Sequence, residues 1–184
     1  RAAKGIRPRA VRAMIVGIPN VGKSSFINRL TKGSTAKTGD KPGVTRGQQW
    51  IKINPEFELL DTPGILWPKF EDPRVGLKLA MTGAISDLVV DTEELAARLL
   101  ELVAEEKPEV LAQRFKLADL PTGGLEILSA VGRRRGCLVH GGEIDHLKAA
   151  TLVLREYREG LLGRITLDNP HFAVTPSAEE VEPK

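Results

Sequence analysis

The sequence predicts an α/β domain over residues 1–90, followed by a small all-α domain over residues 91–168. An apolar strand pattern at residues 11–16 leads through a glycine-rich turn into a helical run at residues 25–31, the element order of an α/β domain. Beyond residue 90 the chain changes character, and its apolar residues recur at helical spacing. With 184 residues and 41% hydrophobic content, the chain can bury one core plus a small helical domain.

Two further strands and one helix are expected in the first domain. The strand patterns cover residues 48–53 and 57–60, and the Asn-Pro-Glu segment between them predicts a hairpin turn. Residues 35–47 are rich in glycine, threonine and charged side chains, which is typical of a loop. Residues 73–84 carry an apolar side that predicts a short helix.

Four helices are expected after residue 90. Asp91, with Glu94 three residues later, predicts a capping box at the start of the first one. The second and third are predicted over residues 108–116 and 124–134.

The last helix is expected to begin after Gly141-Gly142 and to end near Gly160. Residues 169–184 contain three prolines and an acidic stretch, and they are expected to form a disordered tail. The buried face of the last helix is predicted from apolar residues at helical spacing, namely Leu147, Ala150, Leu154, Tyr157 and Leu161.

Residues 17–24 read Gly-Ile-Pro-Asn-Val-Gly-Lys-Ser and match the phosphate-loop (P-loop) pattern G-x-x-x-x-G-K-[ST]. Backbone N–H groups of such a turn, together with the positive end of a helix dipole, form a cradle for phosphates. Because the motif lies between a strand and a helix, it predicts binding of a nucleoside triphosphate. The residues expected to hold the nucleotide are Pro19, Asn20, Val21, Gly22, Lys23, Ser24, Ser25 and Gly64.

A second carboxylate indicates the class of nucleotide hydrolase. Asp61 follows an apolar strand and opens an Asp-Thr-Pro-Gly tetrapeptide. An ATPase would normally carry Glu directly after this Asp, and Thr62 stands there instead, so the pattern favours a GTPase. In that assignment Lys23 pairs with the β- and γ-phosphates, Ser24 ligates Mg²⁺, Asp61 holds the metal through water, and Gly64 offers its N–H to the γ-phosphate. An ordinary ATPase is the competing interpretation.

A GTPase also needs a mobile threonine that contacts Mg²⁺ and the γ-phosphate only in the triphosphate state. Thr45 is the first candidate, ahead of Thr38 and Thr35, and the alternative is a plain loop threonine. With Lys23 and Gly64, Thr45 completes the expected catalytic set.

Three segments together resemble a known family. Residues 17–25, Lys-Pro-Gly-Val-Thr at residues 41–45, and Leu-Asp-Thr-Pro-Gly-Ile-Leu-Trp-Pro at residues 60–68 are similar to the circularly permuted GTPases that assemble ribosomes. The similarity covers about residues 5–168. It implies a GTP-hydrolysing factor for late maturation of the large ribosomal subunit, with GTP or GDP and Mg²⁺ as ligands. It also implies a C-terminal helical domain that contacts ribosomal RNA.

The chain departs from this family in its base-reading motifs. Permuted members carry Asn-Lys-x-Asp before the phosphate loop, and only 16 residues stand there in this sequence. The P-loop GTPase domain is therefore expected to be incomplete and N-terminally truncated. Ser129-Ala130 resembles the Ser-Ala loop that backs the base, but it lies in an apolar helical run and is expected to be a core dipeptide. An RNA-binding fragment with little catalysis is the alternative function.

Catalysis is expected to be slow without the ribosome. Ile65 occupies the place where Ras-type enzymes carry the Gln that orients the attacking water. The catalytic group that Ile65 does not supply would come from an N-terminal region, the ribosome or a bound K⁺. Asn20 is the position at which similar potassium-dependent GTPases coordinate that ion. The alternative is that Asn20 only hydrogen-bonds inside the loop.

The remaining features concern partners and compartment. The net charge is +3, and Lys148, Arg155 and Arg158 on the last helix, with residues 133–135, could bind RNA phosphates or form an ordinary solvated face. The single cysteine, Cys137, is expected in the core and fits a reducing cytoplasm. No apolar run reaches the roughly 20 residues needed to span a bilayer. We therefore expect no membrane as a partner. DNA is not expected as a partner either.

Overall fold

The computed structural model describes residues 9–31, 47–67 and 69–168. The predicted switch threonines Thr45, Thr38 and Thr35 and the predicted tail at residues 169–184 lie outside these ranges. The elements, in chain order, are β1 (Val11–Ile15), α1 (Lys23–Thr31), β2 (Gln49–Asn54), β3 (Phe57–Asp61), α2 (Pro73–Met81), a short 3-10 turn (Asp87–Val89), α3 (Thr92–Glu106), α4 (Pro108–Phe115), α5 (Gly124–Arg135) and α6 (His146–Arg158).

The three strands form one sheet in the order β1-β3-β2. The predicted hairpin is confirmed: β2 and β3 are antiparallel, and the Glu56 N–H donates to Asn54 Oδ1 at 2.9 Å in the turn. Strand β1 runs parallel to β3, with Ile15 opposite Asp61. Because the parallel strands end level with each other, the loop after β1 and the segment after β3 begin at the same edge of the sheet.

One face of the sheet is covered by α1. Ile27 of that helix is completely buried and packs with Ile51 and Leu59 of the sheet. Among the described residues β1 pairs only with β3, so its other side is an edge, and Val11 and Met14 are exposed.

A second and larger core joins α2 to the four later helices. Ala80 and Met81 at the end of α2 are buried in it, although α2 lies within the predicted first domain. The division at residue 90 stays a prediction. The buried residues contributed by the later helices include Leu95, Leu99, Leu111, Phe115, Leu128, Val131, Val153 and Leu154.

Local sequence signals explain where these helices begin. Asp91 accepts hydrogen bonds from the N–H groups of Glu93 and Glu94 at 2.9 and 3.0 Å, which confirms it as the N-cap of α3. Proline occupies the first turn of α2 and of α4, where its missing N–H costs nothing. No helix in the described ranges combines the length and the apolar character that crossing a bilayer requires.

The buried face of α6 differs from the predicted one. Ala150 and Leu154 are buried as expected, but Leu147 is 55% and Leu161 is 47% exposed. Leu147 lies in the first turn and Leu161 beyond the helix end, so neither faces the core. Ala149, Val153 and the charged Glu156 complete the buried face instead.

Candidate nucleotide-binding site

The phosphate loop connects the end of β1 to the start of α1. Asn20 and Gly22 adopt positive φ values of 58° and 89°, a region that glycine enters freely and asparagine tolerates. The Phe26 N–H donates to Gly22 O at 2.8 Å, which makes Lys23, Ser24 and Ser25 the first turn of the helix. First-turn N–H groups have no acceptor inside their own helix, and this turn contains no acidic residue. The local field therefore favours an anion.

The Lys23 ammonium lies over this loop. Its Nζ donates to Gly17 O at 3.0 Å and to Ile18 O at 2.8 Å. A positive charge is thus held beside the helix start, as the motif predicts.

Asp61 ends β3 at the same edge. Its side chain is completely buried, and neither carboxylate oxygen has a hydrogen-bond partner among residues 9–31, 47–67 and 69–168. The next residue ties the strand ends together, since Thr62 Oγ1 donates to Ile15 O at 2.7 Å. A buried carboxylate without a partner is costly, and a cation with oxygen ligands would remove that cost. A carboxylate oxygen is a ligand that Mg²⁺ accepts, so Asp61 fits the predicted metal site, and Ser24 in the first turn of α1 stays the predicted second ligand.

Gly64 lies directly against the phosphate loop. A Cβ atom there would come within 2.5 Å of both the N and Cα atoms of Pro19. The Ile65 N–H, one residue later, donates to Gly17 O at 3.4 Å. The Asp-Thr-Pro-Gly segment and the phosphate loop are therefore in contact, although they are separated by about forty residues in the sequence.

Asn20 makes a contact that the sequence does not reveal. Its side-chain Nδ2 donates to Gly83 O, just after α2, at 2.8 Å. The sequence offers no local signal for a bond across 63 positions. The bond was not expected, and both interpretations of Asn20, as a K⁺ ligand and as a hydrogen-bonding residue inside the loop, stay predictions.

The described structure brings together Pro19, Asn20, Gly22, Lys23, Asp61 and Gly64. Val21 is 56% exposed on the loop, and Ser24 and Ser25 lie in the adjoining helical turn. Their roles toward a nucleotide stay predictions.

The basic residues of α5 and α6 separate into two groups. Arg133, Arg134, Lys148 and Arg155 are exposed. Arg158 is not a free surface charge, because its guanidinium binds Asp87 and two backbone carbonyls.

The structure also describes Ser129 and Cys137, for which the sequence made predictions. Ser129 lies in the middle of α5, where its Oγ donates to Leu125 O at 2.8 Å, so it belongs to a helix and not to a base-reading loop. Cys137 is 1% exposed, which confirms it as a core residue.

Comparison with known proteins agrees with this geometry. A family model described as "50S ribosome-binding GTPase" matches residues 12–121. Ribosome biogenesis GTPase A from Bacillus cereus is 56% identical over 168 residues, which is 91% of this chain and 57% of that protein. The chain therefore spans somewhat more than half the length of this relative.

Two solved structures are also similar. The GDP-bound structure of TM YlqF has a TM-score of 0.58 at 27% identity, over 89% of this chain and 62% of that one. The GNP-bound structure of YlqF from T. maritima has a TM-score of 0.56 at 27% identity, over 87% of this chain and 60% of that one.

The matched residues contain the strand, loop and helix of the phosphate site together with the Asp61 to Gly64 segment, and they make up more than half of the chain. The α/β P-loop architecture, the buried Asp61 and the sequence match all indicate one relationship. The chain belongs to the family of 50S ribosome-binding GTPases.

Proposed function

We propose that this chain binds GTP with Mg²⁺, hydrolyses it to GDP and phosphate, and acts as a nucleotide-controlled switch in assembly of the large ribosomal subunit. The observation that carries the proposal is the Asp61 carboxylate, which is buried and has no hydrogen-bond partner in the described part of the chain, at the sheet edge from which the phosphate loop also begins. That combination fits a divalent cation beside a phosphate chain. The guanine base and the ribosomal partner are supported by the names of the similar proteins.

Each described residue then has a physical role. The first-turn amides after Gly22 hold the phosphates, and Lys23 exchanges its loop carbonyls for phosphate oxygens. Ser24 and Asp61 would hold Mg²⁺, which when bound neutralises negative charge on the β- and γ-phosphates. Gly64 lies against the loop and would offer its backbone N–H to the γ-phosphate. Thr45, which lies outside the described residues, would sense the γ-phosphate.

Hydrolysis needs a polar group that orients the attacking water, and Ile65 cannot be that group. That side chain is apolar and 74% exposed, at the place of the Ras-type glutamine. Intrinsic hydrolysis is therefore slow. The ribosome supplies the acceleration, and K⁺ held at Asn20 would add positive charge at the developing negative charge.

The helices of residues 91–168 are proposed to contact the ribosome. Arg133, Arg134, Lys148 and Arg155 are exposed there and can reach RNA phosphates. Arg158, which the sequence placed with them, is excluded from this role by its internal bonds. The circular permutation, the division at residue 90 and action in the cytoplasm belong to the same proposal.

Nucleotide binding can be tested by calorimetry with GTP, GDP and ATP in the presence of Mg²⁺. We expect guanine nucleotides to bind in preference to ATP, and Lys23→Ala to abolish triphosphate binding because the loop loses its ammonium. Lys52→Ala removes an exposed lysine from β2 and serves as the matched control, with unchanged affinity. Equal binding of ATP and GTP would favour a different nucleotide hydrolase. Binding of ribosomal RNA without any nucleotide would favour an RNA-binding fragment.

Asp61→Asn tests the metal assignment in the same assay. Asparagine keeps the size of the side chain but removes its charge, so Mg²⁺ should no longer strengthen nucleotide binding. Thermal unfolding in EDTA gives the second measurement. The variant should be at least as stable as the natural protein there, because a buried charge without a partner has been removed. A variant that is less stable in EDTA and still responds to Mg²⁺ would contradict the assignment.

A further inference from the structure

Arg158, in the last turn of α6, bonds to the end of α2. Its Nε donates to Met81 O at 3.0 Å, and its Nη2 donates to Ala80 O at 2.8 Å. The same guanidinium makes a two-pronged contact with Asp87, at 2.7 and 2.8 Å. Its side chain is only 25% exposed. This bond to Arg158 also lowers the pKa of the Asp87 carboxyl.

These contacts fix the end of α2. The last carbonyls of a helix lack partners inside it and form the negative end of its dipole, so a guanidinium there is favourable. The chain then turns through Gly83 at a φ of 80°. The Gly83 N–H donates to Ala80 O and the Ala84 N–H to Leu79 O, both at 2.9 Å, which is the bond pattern of a Schellman motif.

Gly83 joins this end to the phosphate loop. A Cβ atom at Gly83 would come within 3.2 Å of Arg158 Nε, so the turn lies directly against the guanidinium. The carbonyl of the same glycine accepts the Asn20 Nδ2 bond at 2.8 Å. Asn20 is the loop residue whose φ of 58° is left-handed, a conformation that needs support from its surroundings.

We propose that Arg158 is a positioning residue for the nucleotide site and that it couples the helical part of the chain to the phosphate loop. The connection runs from Arg158 through the Gly83 turn to Asn20. This inference rests on the proposed GTP binding and extends it to a residue outside the phosphate motifs. A partner that displaces α6 would loosen the loop, and by reciprocity a nucleotide that orders the loop would stabilise the position of α6.

Arginine is suited to this role and lysine is not. The four hydrogen bonds use all three nitrogens of the planar guanidinium. These nitrogens bind two carbonyl oxygens and both carboxylate oxygens at once. An ammonium group at the same place is a single point and cannot hold the carbonyls and the carboxylate in this geometry. Arg158→Lys should therefore behave more like Arg158→Ala than like the natural protein.

The test compares Arg158→Ala and Arg158→Lys with Arg98→Ala in the complete protein. Arg98 forms an exposed ion pair with Glu101 on α3, and none of its described polar contacts reaches the Gly83 turn, which makes it a matched control. We expect both Arg158 variants to weaken GDP binding by about 5- to 10-fold, within the usual range of coupling between sites. Arg98→Ala should remain within about twofold. Binding is measured well below each variant's melting temperature, so that lost stability is not mistaken for lost coupling.

Amide hydrogen exchange without nucleotide gives a readout that does not depend on binding. The Phe26 amide, bonded to Gly22 O, should exchange faster in both Arg158 variants than in Arg98→Ala. A double-mutant cycle with Asn20→Ala completes the test. If the connection runs through Asn20, Arg158→Ala should weaken binding little further once Asn20 has been replaced.

The outcomes separate this inference from the proposed function. Natural protein that binds no guanine nucleotide would refute the proposed function, while the exchange data would still decide whether Arg158 positions the loop. Normal binding with unchanged exchange and affinity in the Arg158 variants would overturn the inference alone. Effects of Arg158 and Asn20 that simply multiply would also overturn it, because they would then act independently. If Arg158→Ala does not fold, Arg158→Lys, which retains the positive charge, is measured in its place.

Discussion

At the scale of single residues, the site depends on places where a side chain is absent or unpaired. Gly64 lies so close to the backbone of Pro19 that no other amino acid fits without movement. Asp61 has the opposite character, because its charged group is buried without a partner in the described residues. The buried carboxylate is costly as described, and the proposed Mg²⁺ would remove that cost.

Gly64→Ala should therefore damage the site through shape alone. The new Cβ would meet backbone atoms of Pro19 at 2.5 Å, and a backbone cannot rotate away as a flexible side chain can. We expect a loss of about 1–3 kcal/mol in the free energy of unfolding, as for other overpacked positions. Urea denaturation measures it.

Gly47→Ala is the matched control for this change. A Cβ there would have no described atom within 4 Å. Its free energy of unfolding should stay within about 0.5 kcal/mol of the natural protein. Equal effects of the two substitutions would show that Gly64 is not held against the loop.

At the scale of elements, the sequence predicts best what is local. The strand, loop and helix of the phosphate site follow from residues within a few positions of one another, and Asp91 marks the start of α3 by its own side chain. The face of α6 was predicted less well, because apolar spacing alone included Leu147 and Leu161 and missed the buried Glu156. The bond from Asn20 to Gly83 was missed entirely, since only the tertiary fold brings these residues together.

Glu156 shows why a charged residue can belong to a helix's buried face. It is 4% exposed and accepts hydrogen bonds from Arg114 on α4 at 2.8 Å and from Arg135 on α5 at 3.0 Å. The hydrogen bond to Glu156 raises the pKa of Arg114. The Arg135 guanidinium also lies 5.4 Å from the centre of the Phe115 ring. One carboxylate thus joins three helices.

Replacing Glu156 by Gln should loosen this junction. The amide cannot satisfy two arginines as a carboxylate does, so we expect a loss of about 1–3 kcal/mol in the free energy of unfolding. Glu159→Gln changes an exposed residue of the next turn and should cost less than about 0.5 kcal/mol. Chemical denaturation of both variants decides the question. A junction that contributes nothing would give the two the same midpoint.

At the scale of the whole molecule, two cores of different character meet near the nucleotide site. The sheet and α1 enclose one, and α2 to α6 enclose the other. The phosphate loop belongs to the first, and the Gly83 turn that it contacts belongs to the end of α2 in the second. A switch of the proposed kind needs such a junction, because the proposed ribosome-binding surface and the candidate phosphate site lie on different parts of the chain.

The proposed dependence on the ribosome can be measured directly as GTP turnover. Because Ile65 cannot orient water, the protein alone should turn over slowly, and purified large ribosomal subunits should raise the rate by at least about tenfold. Small subunits are the matched control and should have no such effect. Replacing both Arg133 and Arg134 by Ala should reduce the stimulation while leaving GTP affinity unchanged, since both are exposed on α5 and lie outside the nucleotide site. Turnover that is fast without ribosomes, or that small subunits raise equally, would show that the missing catalytic group comes from elsewhere.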